Sequence, residues 1–191
     1  MSVTAYTMLV LIAVLCIYAV LTYNRLVALR NHVQKAWSNI DIVLKQRHDE
    51  LPKLVAVCRE YMRFEQETLE RVIAARSRVA EARERRDVDA LGAAEGALRT
   101  GLGQLFALVE SYPTLKANDN FQHLAARVTG LEDTIADRRE FYNESANTNN
   151  IALELFPDVF IARTFAFTAF KLLSFDRAET EDVDVRALLQ S

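Results

Sequence analysis

The sequence predicts an all-α protein: one transmembrane helix near the N-terminus, followed by an up-and-down four-helix bundle with an aromatic C-terminal segment. Three observations predict it. The first residues form an uninterrupted apolar stretch, the middle repeats apolar residues at steps of three and four, and 191 residues hold only 5 Gly and 3 Pro. We therefore expect a transmembrane anchor over residues 1–24, a helical bundle over 25–157, an aromatic segment over 158–175 and an acidic tail over 176–191.

The N-terminal segment has the length and composition of a membrane span. Residues 1–24 carry no charged side chain, and a helix over residues 3–23 would be about 30 Å long, which matches the hydrocarbon core of a bilayer. A cleaved signal peptide is the alternative, but it needs a positively charged start and small residues at the cut, and neither is present. Arg25, Arg30 and Lys35 follow the span, so we expect a single-pass protein with its N-terminus outside and its bundle in the cytosol.

Four amphipathic stripes follow the apolar segment, and each predicts a helix with one buried face. Such helices cannot bury their apolar faces separately, so an up-and-down bundle is the simplest arrangement. The stripes run from Leu26 to Leu44, from Leu54 to Val79, from Leu91 to Val109 and from Phe121 to Phe156.

Polar residues and prolines predict where these helices begin and end. Asp87 is placed to cap the third helix, Pro113 to end it, and Pro157 to end the fourth. Pro52 allows two structures, because it can lie in the first turn of a separate second helix or kink one long helix. We favour the separate helix.

The segment after the fourth stripe is rich in phenylalanine: six of the ten Phe residues lie between Phe156 and Phe175. It can be a strap that packs across the bundle, or a surface that contacts the membrane or a partner, with a lysine as the snorkelling charge. Charged side chains at Asp158 and Arg163 argue against a second span. The candidate contact residues are Phe160, Phe165, Phe167, Phe170 and Lys171.

Three polar residues fall on or beside the apolar seam of the fourth helix, where apolar residues would be expected. These are Arg138, Tyr142 and Asn149. Buried polar groups need partners, so we expect a hydrogen-bonded network with acidic residues of another helix, such as Asp41 or Glu60. A ligand site is the alternative.

Composition and motifs argue against several function classes. The net charge of −3 offers no basic surface for nucleic acid. His32, His48 and His123 have no second His or Cys at metal-ligand spacing, and there is no phosphate-binding glycine loop or nucleophile elbow. We therefore expect no catalytic residue, no cofactor and no metal, with Cys16 and Cys58 as reduced thiols. An enzyme whose site is assembled from several helices is a third hypothesis.

Six segments of the chain form a pattern: YNRLV at 23–27, AWSNID at 36–41, LPKLV at 51–55, YPTLKANDNF at 112–121, FYNE at 141–144 and FP at 156–157. In this order and spacing they resemble the LemA family of bacterial membrane-anchored helical proteins. The resemblance covers roughly residues 5 to 160. It implies a membrane anchor followed by a four-helix bundle, and a family without an agreed enzymatic activity. This chain departs from the family at residues 149 and 150, where Asn-Asn replaces a frequent Tyr-Asn pair.

These observations favour a non-enzymatic scaffold or adaptor in the bacterial cytoplasmic membrane, with membrane lipid and protein partners around it. The family resemblance implies that such partners include a membrane zinc metalloprotease of the quality-control type. The alternative is a membrane-shaping protein that acts through homo-oligomers and the Phe-rich segment.

Overall fold

A computed structural model describes residues 3–174, and within that range the chain forms six helices and no strand. They are α1 Val3–Tyr61, α2 Gln66–Arg85, α3 Val88–Val109, α4 Pro113–Lys116, α5 Asp119–Glu154 and α6 Asp158–Thr164. The predicted all-α class with a long apolar N-terminal helix is confirmed. The arrangement of the long helices as one up-and-down four-helix bundle stays a prediction. Phe175 and the predicted tail over 176–191 lie outside the described residues.

The described residues form two compact units. The first unit contains residues 3–40 and 137–172, and the second contains residues 41–136 and 173–174. Helices α1 and α5 contribute residues to both. The expected limits at residues 24 and 157 both fall inside the first unit, which therefore includes the apolar segment, the end of α5 and the Phe-rich segment.

The helix boundaries follow the predicted capping residues at most positions. Arg86 ends α2 in the left-handed conformation with φ 52°, and the Asp87 side chain accepts a hydrogen bond from the Ala90 amide (3.1 Å) at the start of α3. Pro113 occupies the first turn of α4, three residues after α3 has ended. Helix α5 ends at Glu154, before Pro157 as expected. Local chemistry thus decides these ends.

The favoured interpretation of Pro52 is wrong, because Pro52 lies inside α1 and the helix continues to Tyr61. Leu44, Leu51 and Leu54 follow one another at steps of seven and three, which keeps them on one helix face across the proline, and all three are buried. A break at Pro52 would expose part of this stripe. Burial of the stripe therefore outweighs the roughly 3 kcal/mol that an interior proline costs a helix.

The carbonyl that Pro52 leaves without its helical partner is satisfied from another helix. A residue at position 52 would normally donate its amide hydrogen to the carbonyl of His48, and proline has none. Arg76 of α2 donates from Nε to that carbonyl oxygen at 2.9 Å, and its Nη2 lies 2.6 Å from Nε2 of the His48 ring. Burial and then the charge of Arg76 lower the pKa of His48, which favours a neutral ring that can accept this hydrogen bond. Arg76 therefore fills a structural role.

The second unit has a charged group at its centre. Arg47 is 1% exposed, and it donates hydrogen bonds to Glu95 of α3 and Glu132 of α5. Burial alone would lower the pKa of Arg47, but the two carboxylates outweigh it and raise that pKa above its ordinary value. Removing one partner of a buried ion pair costs about 3–5 kcal/mol, so these three side chains fix which faces of the helices meet.

We predict that the role of Arg76 depends on Pro52. The change Arg76→Met leaves the His48 carbonyl unsatisfied and should reduce the free energy of unfolding by about 1–3 kcal/mol. In a Pro52→Ala background, the new amide can bond that carbonyl, so the same change should cost at least about 1 kcal/mol less. Urea unfolding of the full chain in detergent micelles, followed by circular dichroism, gives the four free energies.

The exposed Arg78 on the same helix supplies the matched control, since Arg78→Met should change the free energy of unfolding by less than about 0.5 kcal/mol. Equal costs of Arg76→Met in the two backgrounds would contradict the assignment.

Candidate membrane-interface site

The first unit has a core where α1, just past its apolar segment, meets the end of α5 and α6. Leu26, Ala152 and Ala162 are buried together, and partly buried apolar side chains pack around them. The surrounding side chains are Leu29, Leu153, Ile161 and Phe167. Farther along α1, the half-buried Trp37 packs edge-on against Tyr142, with ring centroids 5.6 Å apart. This contact gives Trp37 a packing role within the first unit.

The apolar part of α1 makes no comparable core. Helix α1 contains an 18-residue window with a mean hydropathy of 2.4, and none of that window is buried by the protein. By length and composition it can cross a membrane. An exposed surface of this size and hydropathy is unfavourable in water, so these residues need an apolar surrounding such as lipid.

Asp158, at the start of α6, joins the Phe-rich segment to the end of this apolar window. Its carboxylate is 5% exposed and accepts hydrogen bonds from the Tyr18 hydroxyl (2.6 Å), the Thr22 hydroxyl (3.4 Å) and the Arg25 guanidinium. The three donors lie at steps of four and three on α1 and therefore share one face. We call these four residues the Asp158 cluster. Three hydrogen-bond donors offset the cost of burying a carboxylate, whereas burial of the same carboxylate against lipid without donors would be strongly unfavourable.

The position of the Asp158 cluster along α1 relates it to the expected bilayer. Tyr18 and Thr22 lie within the charge-free segment, and Arg25 is the first charged residue after it. The three donors span about 10 Å of helix, so the carboxylate lies where an apolar span gives way to charged residues. Residues of α6 next to Asp158 share this boundary position.

The Phe-rich segment turns back onto α1 after α6. Ala166, with φ 53°, is in the left-handed conformation just after the end of α6, and the phenylalanines on either side of it reach the same tyrosine. The ring of Tyr23 lies 4.8 Å from that of Phe165 and 5.8 Å from that of Phe167. The Arg30 guanidinium lies 5.6 Å from the centroid of the Phe167 ring, within range of a cation–π contact.

The end of the Phe-rich segment is held by hydrogen bonds between its backbone and side chains of α5. The Asn150 side chain donates to the Phe170 carbonyl (2.8 Å) and accepts from the Phe170 amide (2.9 Å). The Tyr142 hydroxyl donates to the Lys171 carbonyl at 2.9 Å, and burial raises the pKa of Tyr142 so that it retains its proton. This part of the chain therefore behaves as a strap, fixed by α5 rather than by its own secondary structure.

The five expected contact residues divide into two groups. Phe167 and Phe170 are half-buried within the first unit, and Phe165 is 56% exposed although it touches Tyr23. Phe160 is 61% exposed, and the side chain of Lys171 is also exposed. Phe156 is 79% exposed and packs edge-on against Phe160, with ring centroids 5.8 Å apart. The later phenylalanines thus pack inward and the earlier ones face outward, and a contact of the exposed residues with the membrane or a partner stays a prediction.

The expected polar network needs a correction at its first member. Arg138 is exposed, and its neighbour Arg139 is the buried residue, 6% exposed. Tyr142 and Asn149 are buried, three and ten residues after Arg139. The error arises because two consecutive arginines straddle the edge of the stripe, and only packing decides which one turns inward. The proposed acceptor Asp41 instead lies 3.5 Å from Arg83 in the second unit.

Sequence reasoning missed Asp158 and Asn150 as the residues that hold the segment. A usable signal was present, because Tyr18, Thr22 and Arg25 form a polar stripe on an otherwise apolar helix. Asp158 was counted only as an argument against a second span. Nothing in the sequence alone indicates that the Asn150 amide bonds a backbone twenty residues later.

Among residues 3–174, no three His, Cys, Asp or Glu side chains are grouped in a way that could hold a metal ion. An open groove of about 290 Å³ lies between α1 and α5 of the first unit. Its lining combines apolar and charged side chains, among them Leu29, Phe141, His32 and Glu144. Ser145 also lines the groove, but its hydroxyl donates to the Phe141 carbonyl (2.8 Å) and not to a histidine or carboxylate base.

The apolar helix, the Asp158 cluster and the strap define the class of a membrane-associated helical protein. The family model of the LemA family matches residues 36–186, and the chain belongs to that family.

Curated relatives fall into two groups. Protein LemA of Metamycoplasma hominis is 28% identical over 164 residues, which is 85% of this chain and 72% of that protein. Magnetosome protein MamQ of Magnetospirillum gryphiswaldense is 38% identical over 78 residues, 41% of this chain and 29% of the relative. Magnetosome protein MamQ 1 of Paramagnetospirillum magneticum is 41% identical over 73 residues, 38% of this chain and 27% of the relative. The aligned part spans less than a third of either MamQ protein.

We predict that Asp158→Ala releases the segment after α6 from α1. The loss of hydrogen bonds to a charged acceptor should raise amide hydrogen exchange in residues 158–170 by roughly ten- to a hundredfold, including the amide of Phe170. Asp158→Asn keeps an acceptor for Tyr18 and Thr22 and should have a smaller effect. Mass spectrometry of the full chain in nanodiscs measures the exchange. Asp137→Ala, at an exposed position of α5, is the control, and an equal response to it would refute the role of the Asp158 cluster.

Proposed function

We propose that this protein is a non-enzymatic scaffold or adaptor of the bacterial cytoplasmic membrane, which displays its helices to protein partners at the membrane. The observation that carries the proposal is the direct attachment of the apolar helix to the folded first unit. Helix α1 has no break after the apolar segment, and the Asp158 cluster ties α6 to that helix at the boundary.

A rigid connection suits a scaffold for a physical reason. A flexible linker lets a domain sample many heights and orientations, and this dilutes its effective concentration at any one partner. Here Leu26, Val33 and Ala36 are buried along α1 directly after the apolar segment, so the same helix is both anchor and core. Preorganisation of this kind lowers the entropy lost when a membrane partner binds.

A surface for a protein partner is available in the second unit. Phe64, in the turn between α1 and α2, is 96% exposed and is flanked by Arg63 and Glu65. Aromatic residues and arginine are enriched among the residues that dominate binding energy at interfaces. We propose Phe64 as a partner contact, and a membrane zinc metalloprotease of the quality-control type as one partner of the scaffold.

Membrane organisation through homo-oligomers is the second candidate function, and the exposed Phe156 and Phe160 favour it. The MamQ relatives are named as magnetosome proteins, but the shared region is less than a third of their length. The proposal for this chain therefore rests on its own exposed phenylalanines.

We further propose that the N-terminus lies outside the cytoplasmic membrane and the folded units in the cytosol, because Arg25, Arg30 and Lys35 follow the apolar segment. In a background with Cys16→Ala and Cys58→Ala, Thr114→Cys should react with an impermeant maleimide only after spheroplasts are permeabilised. Val3→Cys, 80% exposed at the start of α1, should react in intact spheroplasts. The reverse pattern would overturn the orientation.

Keeping Cys58 would add little background in the same experiment. The thiol is fully buried, and burial raises the pKa of Cys58 to about 11, so the reactive thiolate is scarce at neutral pH.

We predict that a photocrosslinking amino acid at position 64 yields discrete protein adducts in native membranes. Mass spectrometry of the adducts identifies the partner and tests whether a membrane zinc metalloprotease is among them. The matched control places the same amino acid at the exposed Thr114, where the adduct yield should fall at least about fivefold if Phe64 is a hot spot. Equal yields at both positions, or adducts with lipid alone, would contradict a scaffold that binds through Phe64.

A further inference from the structure

The end of α5 and the start of α6 expose a compact group of large apolar side chains. Leu155 is 50% exposed, Phe156 79% and Phe160 61%. The two phenylalanine rings pack against each other rather than into the core. We call residues 155–160 the exposed aromatic turn. Apolar side chains of this size that cluster at the surface indicate a contact with another apolar phase.

The Asp158 cluster fixes where this turn lies along α1. Asp158 is within the turn, and its carboxylate is held by Tyr18, Thr22 and Arg25. Tyr18 and Thr22 belong to the apolar, charge-free segment, and Arg25 is the first charged residue after that segment. A bilayer that surrounds the apolar segment of α1 must therefore end at about the level of the turn.

Helix α6 also has the residue pattern of an interfacial segment. Phe160 and Arg163 lie three residues apart and share its exposed face, while Asp158 and Ala162 are buried on the opposite face. An aromatic side chain beside a cation suits the boundary between acyl chains and lipid headgroups, where the ring enters the apolar phase and the charge remains in water.

We propose that the exposed aromatic turn is a lipid-binding site, in which Leu155, Phe156 and Phe160 insert into the bilayer leaflet beside α1. The inserted group is a second, monotopic contact of the same chain with the membrane. The Asp158 cluster keeps the turn next to the span, so no separate binding step is needed. The insertion displaces lipid next to α1 in one leaflet only, so the contact is sensitive to membrane curvature.

The inference rests on the proposed membrane anchoring, and depth-dependent fluorescence quenching can test it. Phe156→Trp and Phe160→Trp are made separately in a Trp37→Phe background, which leaves one tryptophan in the full chain. The variants are reconstituted in phosphatidylcholine vesicles with or without bromine atoms near the headgroup end of the acyl chains. Insertion by about 5–10 Å should lower the fluorescence of either tryptophan at least about twofold.

Phe141→Trp in the same background is the matched control. Phe141 is 47% exposed in the first unit, and it lines the groove beside Leu29 and His32 of α1, beyond the charged end of the apolar segment. Its tryptophan should lose less than about a fifth of its fluorescence, since it lies outside the acyl region. Equal quenching at positions 141, 156 and 160 overturns the proposal, and so does an absence of quenching at 156 and 160.

A second measurement covers a failure of the tryptophan variants to fold. Nitroxide labels on Phe156→Cys, Phe160→Cys and Phe141→Cys, with Cys16→Ala and Cys58→Ala, report collision rates with oxygen and with a water-soluble nickel chelate. The proposal requires the first two labels to favour oxygen and the third to favour the chelate. If positions 156 and 160 stay water-accessible in vesicles but crosslink to protein in cells, the site is a protein contact and the proposal fails. A chain that leaves the membrane fraction altogether refutes the anchoring instead.

Discussion

The membrane-interface region depends on the hydrogen bonds that the Asp158 carboxylate accepts from α1. A buried acid at the edge of an apolar helix is tolerated only when donors surround it, and Tyr18, Thr22 and Arg25 provide three of them. Because those donors share one face of α1, the carboxylate fixes both the position and the rotation of α6 relative to that helix. The core around Leu26 and Ala162 and the contacts of Tyr23 with Phe165 and Phe167 follow from this placement.

This placement gives the phenylalanines two different roles. Phe167 and Phe170 lie after α6, where Tyr23, Arg30 and Asn150 hold them against the first unit. Phe156 precedes Asp158 in the chain, and Phe160 lies on the outer face of α6. Both side chains are exposed. A strap and a membrane contact are therefore compatible in a single segment. The Phe-rich composition serves both the packing of the strap and the proposed membrane contact, and the residue types alone do not tell the two apart.

Polar side chains also determine how the helices of the second unit continue and pack. Arg76 replaces the backbone donor that Pro52 lacks, and α1 continues with its apolar stripe through the proline. Arg47 brings Glu95 and Glu132 to one point inside the unit. Such groups contribute less to net stability than apolar packing does, but they are costly in any other register. They fix which helix faces meet, which suits a protein whose proposed role is to present a defined surface.

The sequence by itself determined the all-α class, the apolar N-terminal helix, the cap at Asp87 and the end of α5 before Pro157. These features depend on periodicity, hydropathy and capping, which act between residues close in the chain. The tertiary structure alone decided that α1 continues through Pro52, that Arg139 rather than Arg138 is buried, and that Asp158 and Asn150 hold the Phe-rich segment. Each of these outcomes depends on a donor, an acceptor or a packing surface that lies far away in sequence. A local pattern carries no information about a partner 140 residues away, such as Tyr18 for Asp158.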